Sequence, residues 1–201
     1  MQSDQRKLEI CHHEAGHWVI AQAVGFEVDD ITVTLFKDGK HITASGSATV
    51  FPRLEIKSVE AVEEYLVKRI VVLFSGVISE SIAIENRNEF TARELLKTNG
   101  IDDARSANEL LQILRGVRFP GRITIDESRQ LAEVQTECWQ LANALIEENQ
   151  DKIRRVARGM ALNVSALNKP VRFRKVMLQE FSVREHSGAC CRQPKPDSSL
   201  V

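Results

Sequence analysis

The sequence predicts a mainly α-helical protein with a small β-hairpin or sheet. Three observations carry that expectation. Apolar residues recur at helical intervals through Leu8, Cys11, Ala15, Val19 and Ala23, and again through Val59, Val62, Leu66, Ile70 and Leu73. Alternation at period two is confined to one region, where Ile31, Val33 and Leu35 alternate with Thr32 and Thr34. A third helical pattern, through Leu131, Val134, Cys138, Leu141 and Leu145, occupies the last third of the chain.

The elements follow in order. Ser3 or Asp4 can cap a first helix that Gly25 stops. A strand is expected over Asp30 to Phe36. Turn residues from Lys37 to Lys40 then lead into a second strand, from about His41 to Phe51, that ends at Pro52. The edge of such a hairpin can pair with an extended peptide. One long core helix should run from Ile56 to about Ile84. Residues 85–100 are polar and mixed, with a short helix at Ala92 to Leu96. Ile101-Asp102-Asp103 then opens a helix whose apolar face is Ala107, Leu110, Leu111 and Leu114. Phe119-Pro120-Gly121 breaks the chain. Two packing helices should follow, the first from Asp126 to about Glu148 and the second marked by Ile153, Val156, Met160 and Leu162. The basic group Arg172, Arg174 and Lys175 reads as a solvated strand or tail face. Residues 1–182 are expected to form one domain. The Ser-, Pro- and Gly-containing stretch 183–201 has no apolar period and is expected to be a disordered tail.

Composition narrows the function classes. With 201 residues, 43% of them hydrophobic and 27% charged, the chain can bury one good core. Lys plus Arg number 27 against 28 for Asp plus Glu, so no cationic excess points to nucleic acid or to a membrane surface. The longest apolar run, Ile70 to Ile78, is too short for a membrane span and is broken by Ser75 and Gly76. Gln2 to Glu9 is polar where a signal peptide would be apolar. A cytoplasmic protein is therefore expected. The cysteines agree: Cys11 and Cys138 fall in helical patterns, Cys190 and Cys191 in the polar tail, and none has zinc-finger spacing.

The chemistry is concentrated in the first helix, where His13, Glu14 and His17 form the pattern H-E-x-x-H. Residues four apart on a helix differ by about 40° in direction and about 6 Å in height, so both imidazoles can reach one metal ion. A catalytic zinc takes three protein ligands and keeps a fourth position for water, which leaves this stretch one ligand short. Glu14, about 100° round the helix from His13, sits beside that open position as a candidate general base. Two later features are possible complements. Glu80, in Gly76-Val77-Ile78-Ser79-Glu80-Ser81, can orient a ligand histidine from behind or can be a solvated helix acid. Asp102 and Asp103 can be ordinary helix-start residues, or one of them can be the missing ligand.

Taken together, these motifs resemble the peptidase domain of the FtsH-type, AAA+-linked zinc metalloproteases. His13-Glu14-Ala15-Gly16-His17 reads as that family's HEAGH. Ser75-Gly76-Val77-Ile78-Ser79-Glu80 is similar to its Gly-Gly-Arg-x-Ala-Glu stretch, and Thr98-Asn99-Gly100-Ile101-Asp102-Asp103 to its Thr-Thr-Gly-Ala-x-x-Asp turn. The likeness spans roughly residues 8 to 170. It implies a helical FtsH-peptidase-like domain in which His13 and His17 bind Zn2+, Glu14 is the base and an aspartate is the third ligand. The family's ligand is followed by alanine four positions on. Asp103 has Ala107 there and Asp102 has Ser106, so the resemblance selects Asp103, with Asp102 as the fallback. Val77 stands where the family has arginine. No ATPase module, transmembrane helix or phosphate loop is legible in the chain.

The expectation is a stand-alone, ATP-independent zinc endopeptidase acting on protein or peptide substrates, with homo-oligomerisation possible. The alternative is a catalytically weak or inactive peptidase-like module that binds a protein partner.

Overall fold

The computed structural model describes residues 2–39, 41–84, 89–121 and 126–183. Helix α1 (Gln2–Ala23) leads into strands β1 (Glu27–Asp38) and β2 (His41–Phe51), then helices α2 (Val59–Ile82), α3 (Glu89–Leu95), α4 (Ile101–Arg118) and α5 (Glu127–Asn163). A third strand, β3 (Val171–Phe173), and a last helix, α6 (Lys175–Val183), complete the order. The architecture is mainly α with a three-stranded antiparallel sheet of order β2-β1-β3.

Helix α1 is the hub, packed against α2, α5, β1 and β2. Every residue from Cys11 to Ala21 is buried, so the polar triplet His12-His13-Glu14 is carried inside the protein with Trp18, Val19 and Ile20. A helix hidden on all sides must satisfy its polar side chains internally. Helix α2 shares the centre, with Ile70 to Ser81 buried without a break. It begins at Val59 because the Ser58 hydroxyl accepts the Ala61 amide at 3.2 Å and caps it.

The structure departs from the sequence expectation in three places. Helix α5 is one 37-residue helix rather than two. Between Glu148 and Ile153 there is neither glycine nor proline to break it, and Ile146, Ile153, Val156, Ala157 and Met160 continue one buried face. On the same helix Leu141 is 40% exposed and Leu162 77% exposed, while Trp139 and Ala142 face inward. A 3.6-residue helix drifts off a strict seven-residue spacing, so the row counted in sevens from the buried Val134 turns outward through Leu141 to Leu162. The third departure is β3. Arg172, Arg174 and Lys175 are exposed, as expected of a solvated strand face, but the short strand is anchored: Arg172 Nε donates to Asp30 Oδ2 at 2.6 Å and the Lys175 backbone amide to Asp30 Oδ1 at 2.8 Å. An irregularity in β1 between Val28 and Ile31 lies at Asp30, which ties β3 and the start of α6 to the sheet.

The strand β2 is an edge. One side pairs with β1, from Phe51 opposite Glu27 to His41 opposite Asp38. The other side faces the cleft described next. No helix among the described residues is long and apolar enough to cross a membrane. The expected tail, with Cys190 and Cys191, lies outside the described residues from 184 onward.

Candidate metal centre

His13 and His17 lie one turn apart on α1 with ring centroids 4.8 Å apart and planes at 74°. Asp103, in the first turn of α4, joins them from 90 positions away in sequence. Its Oδ2 lies 3.1 Å from His13 Nε2 and 3.2 Å from His17 Nε2. The three candidate ligand atoms all fall within 4.8 Å of one another. The two adjacent aspartates thus have distinct places. Asp102 is 86% exposed and pairs with Arg105 at 3.1 Å on the rim, whereas Asp103 points inward.

The far side of each imidazole is fixed by α2. His17 Nδ1 donates to the carbonyl of Val72 at 2.7 Å, and His13 Nδ1 donates to Glu80 Oε2 at 3.0 Å. Glu80 is 1% exposed, so it is not the solvated helix acid of the bland alternative. Arg6 at 3.4 Å and Asn99 at 2.5 Å hold its other oxygen. Burial raises the Glu80 carboxyl, but the hydrogen bond and charge of His13 outweigh it and leave the acid below the usual carboxylate range.

These contacts decide what the site can hold. A carbonyl only accepts, so His17 Nδ1 must carry its proton, and the ionised Glu80 assigns the Nδ1 proton of His13 in the same way. Two neutral rings then turn Nε2 lone pairs toward the carboxylate oxygen of Asp103. Three acceptors aimed at one point require a cation or extra protons between them. Without a metal the proton takes that place. Burial opposes charge on His13, but its hydrogen bonds to Asp103 and Glu80 prevail and raise its pKa to about 10. Asp103 shows the converse: burial raises its carboxyl, and the two histidines pull it well below the ordinary value. The donor set fits a metal ion held by His13, His17 and Asp103.

Room for the rings depends on Gly76 of α2. A methyl group on its Cα would fall on His17 Nε2 and within 2.7 Å of His13 Nε2. Only glycine allows the helix to lie so close to both ligand nitrogens.

Glu14 is 4% exposed and lies between α1 and β2. Burial pushes its carboxyl above the usual range, with His13 and His17 opposing, Asp103 adding, and a hydrogen bond from the Ala48 amide opposing. Gly46 on β2 lies against it, and a Cβ there would come within 2.5 Å of Glu14 Cγ. With the Ala48 amide turned to Glu14, alternation along the strand places the backbone groups of Gly46 and Ala44 on that same side. They border a cleft of about 430 Å³ that also contains His13, Glu14, His17 and Asp103. A buried base, a metal-type donor set and a free strand edge therefore share one cavity.

Sequence reasoning had no means of finding the Val72 carbonyl, since a backbone acceptor has no residue signature. Gly46 and Asn99 were also missed as site residues. No known protein-family profile matches the chain.

Proposed function

We propose that this chain is a zinc-dependent endopeptidase whose domain resembles the peptidase domain of the FtsH-type metalloproteases and which cleaves peptide bonds without ATP. The observation that carries the reading is the convergence of His13 Nε2, His17 Nε2 and Asp103 Oδ2 in the cleft that also holds the buried carboxyl of Glu14. Two imidazoles and a carboxylate are a donor set typical of hydrolytic zinc. Bonds of about 2.0–2.1 Å at tetrahedral angles put ligand atoms roughly 3.3 Å apart. The two histidine–aspartate separations, 3.1 and 3.2 Å, are close to this, and with all three atoms within 4.8 Å of one another the ion would draw the two imidazole nitrogens together.

Zinc, when bound, supplies a Lewis acid that polarises a carbonyl and acidifies water. The chain supplies the rest. Glu14 takes a proton from the attacking water as its oxygen bonds to the carbonyl carbon, then returns it to the amine nitrogen as the C–N bond breaks. Its raised pKa direction suits a group that must both accept and release a proton near neutral pH. The open side of β2 offers backbone donors and acceptors to an extended peptide, so substrate selection rests first on an unfolded main chain. The free thiols Cys11 and Cys138 accord with a cytoplasmic setting.

The test is cleavage of an unfolded protein such as casein by the purified, zinc-loaded chain, with bound metal measured in the same sample. Metal-dependent fragments, lost on chelation and restored by zinc, are expected. One bound zinc with no turnover, together with a specific protein partner, would favour the partner-binding alternative.

A further inference from the structure

We infer that Arg69 forms a carboxylate-recognition subsite in this cleft, so that the preferred peptide carries a negative charge near the scissile bond. The inference rests on the hydrolase reading above and names its substrate class.

Arg69 borders the same cleft as Glu14 and the candidate ligands, and it is half-buried. It precedes Val72 by three positions, Leu73 by four and Gly76 by seven, so all four lie along one stripe of α2. Val72 holds His17 and Gly76 lies against both ligand rings. Seven residues of helix rise about 10 Å, which separates the Arg69 backbone from the metal-type site by about three residues of extended peptide. Arg69 is therefore placed to meet a substrate charge about three or more residues from the cleaved bond.

The charge inventory makes Arg69 distinct. Arg6, the other cleft arginine, is bound to Glu9, Glu80 and Asn99. Lys68 beside it pairs with Glu64 at 2.6 Å. Among the acids of the cleft, Asp103 faces the histidines, Asp102 pairs with Arg105, and Glu14 is buried against Gly46. Arg69 has no hydrogen-bond or ion-pair partner among the described residues. The β2 residues that line the cleft include the neutral, small Ala44, Ser45 and Gly46. A permanently charged planar fork, half-removed from water at the border of this cleft and without a counter-charge among the described residues, matches a carboxylate better than any neutral group.

The carboxylate can come from an internal Asp or Glu or from a free chain end, and the experiment separates them. Acetylated, amidated neutral peptides carrying one Glu at successive positions are compared with the all-neutral parent and with the parent bearing a free C-terminus. The zinc-loaded protein should cleave at least one charged peptide with a kcat/KM about tenfold or more above the parent, the scale of one partly desolvated charged contact. Arg69→Gln should bring that ratio to near one, and Arg69→Glu should turn it toward peptides with Lys at the same position. The same peptides are titrated by fluorescence anisotropy onto Glu14→Gln protein, which reads selectivity without turnover. Equal cleavage or equal binding of charged and neutral peptides, or a ratio that survives Arg69→Gln, overturns the inference. Charge-selective binding without any cleavage by the unsubstituted protein overturns the hydrolase reading and keeps the carboxylate subsite.

Discussion

Glu80 accepts the Nδ1 proton of His13 at 3.0 Å while almost wholly removed from solvent, so α2 sets the tautomer of a ligand carried by α1. The carboxylate is itself held by Arg6 and by Asn99, which directly precedes Gly100 at the start of the helix that delivers Asp103. The support of His13 and the approach of Asp103 are therefore joined through one acid.

Replacing Glu80 should weaken metal binding more than it harms the fold. Glu80→Gln keeps an acceptor for His13 but loses the charge, and removal of such a support commonly lowers metal affinity about 10- to 100-fold. Competition with a chromogenic chelator reads the change. An affinity within twofold of the unsubstituted protein would show that the contact does not tune the site.

Gly76→Ala should act against the usual trend. Alanine in a helix interior ordinarily stabilises by about 0.5–1 kcal/mol over glycine. Here the new methyl overlaps the His17 ring, and overpacking of this kind costs about 1–3 kcal/mol. Zinc content should fall below stoichiometric and the melting temperature of the metal-free protein should drop. A rise in melting temperature with full zinc content would contradict the close approach.

Gly46→Ala separates the base from the ligands. The three atoms nearest its Cβ, Oε1, Cγ and Cδ, all belong to Glu14, so the substitution displaces that carboxyl first. Peptide hydrolysis is expected to fall about 100-fold or more, within the range assigned to a general base, while zinc is still taken up. Matched metal analysis and peptidase assays test the pair of outcomes.

Asp30, away from the candidate site, contributes to the pH dependence of folding. Burial raises its carboxyl, but the Lys175 amide and the Arg172 guanidinium together bring it below the ordinary 3.8. A native carboxyl that titrates below its unfolded counterpart contributes fully above pH 3.8, and the contribution is lost as pH falls through the lower native value. Arg172 is 70% exposed, so solvent screening keeps the contribution to about 1 kcal/mol. Urea unfolding at pH 7 should show Asp30→Asn to be less stable by about that amount, with the gap narrowing as pH falls below 3.8. A constant gap across this range would exclude the linkage.

The first helix and its candidate ligand pair were legible in the sequence because two signals coincided: histidines one turn apart, and an apolar period that stops just before Gly25. The hairpin was legible from the alternation of Ile31, Val33 and Leu35, all buried in the structure. Strand β3 was not, since three residues hold no readable period and its place depends on the distant Asp30. The join between the two expected last helices was misread because Asn149 to Lys152 is polar, and polarity alone does not end a helix. In the site, Asp103 was reachable only through the family resemblance, since helix-start acids are ordinary. Arg69 gave no signal at all, because a single arginine on an amphipathic helix reads as surface until its neighbours are known.

The most direct test compares Glu14→Gln with the unsubstituted chain at equal zinc content, using one unfolded substrate. The account predicts one zinc bound to each, with cleavage reduced about 10²- to 10⁴-fold in the variant. Equal cleavage by the two proteins, or none by the zinc-loaded unsubstituted chain, would contradict it.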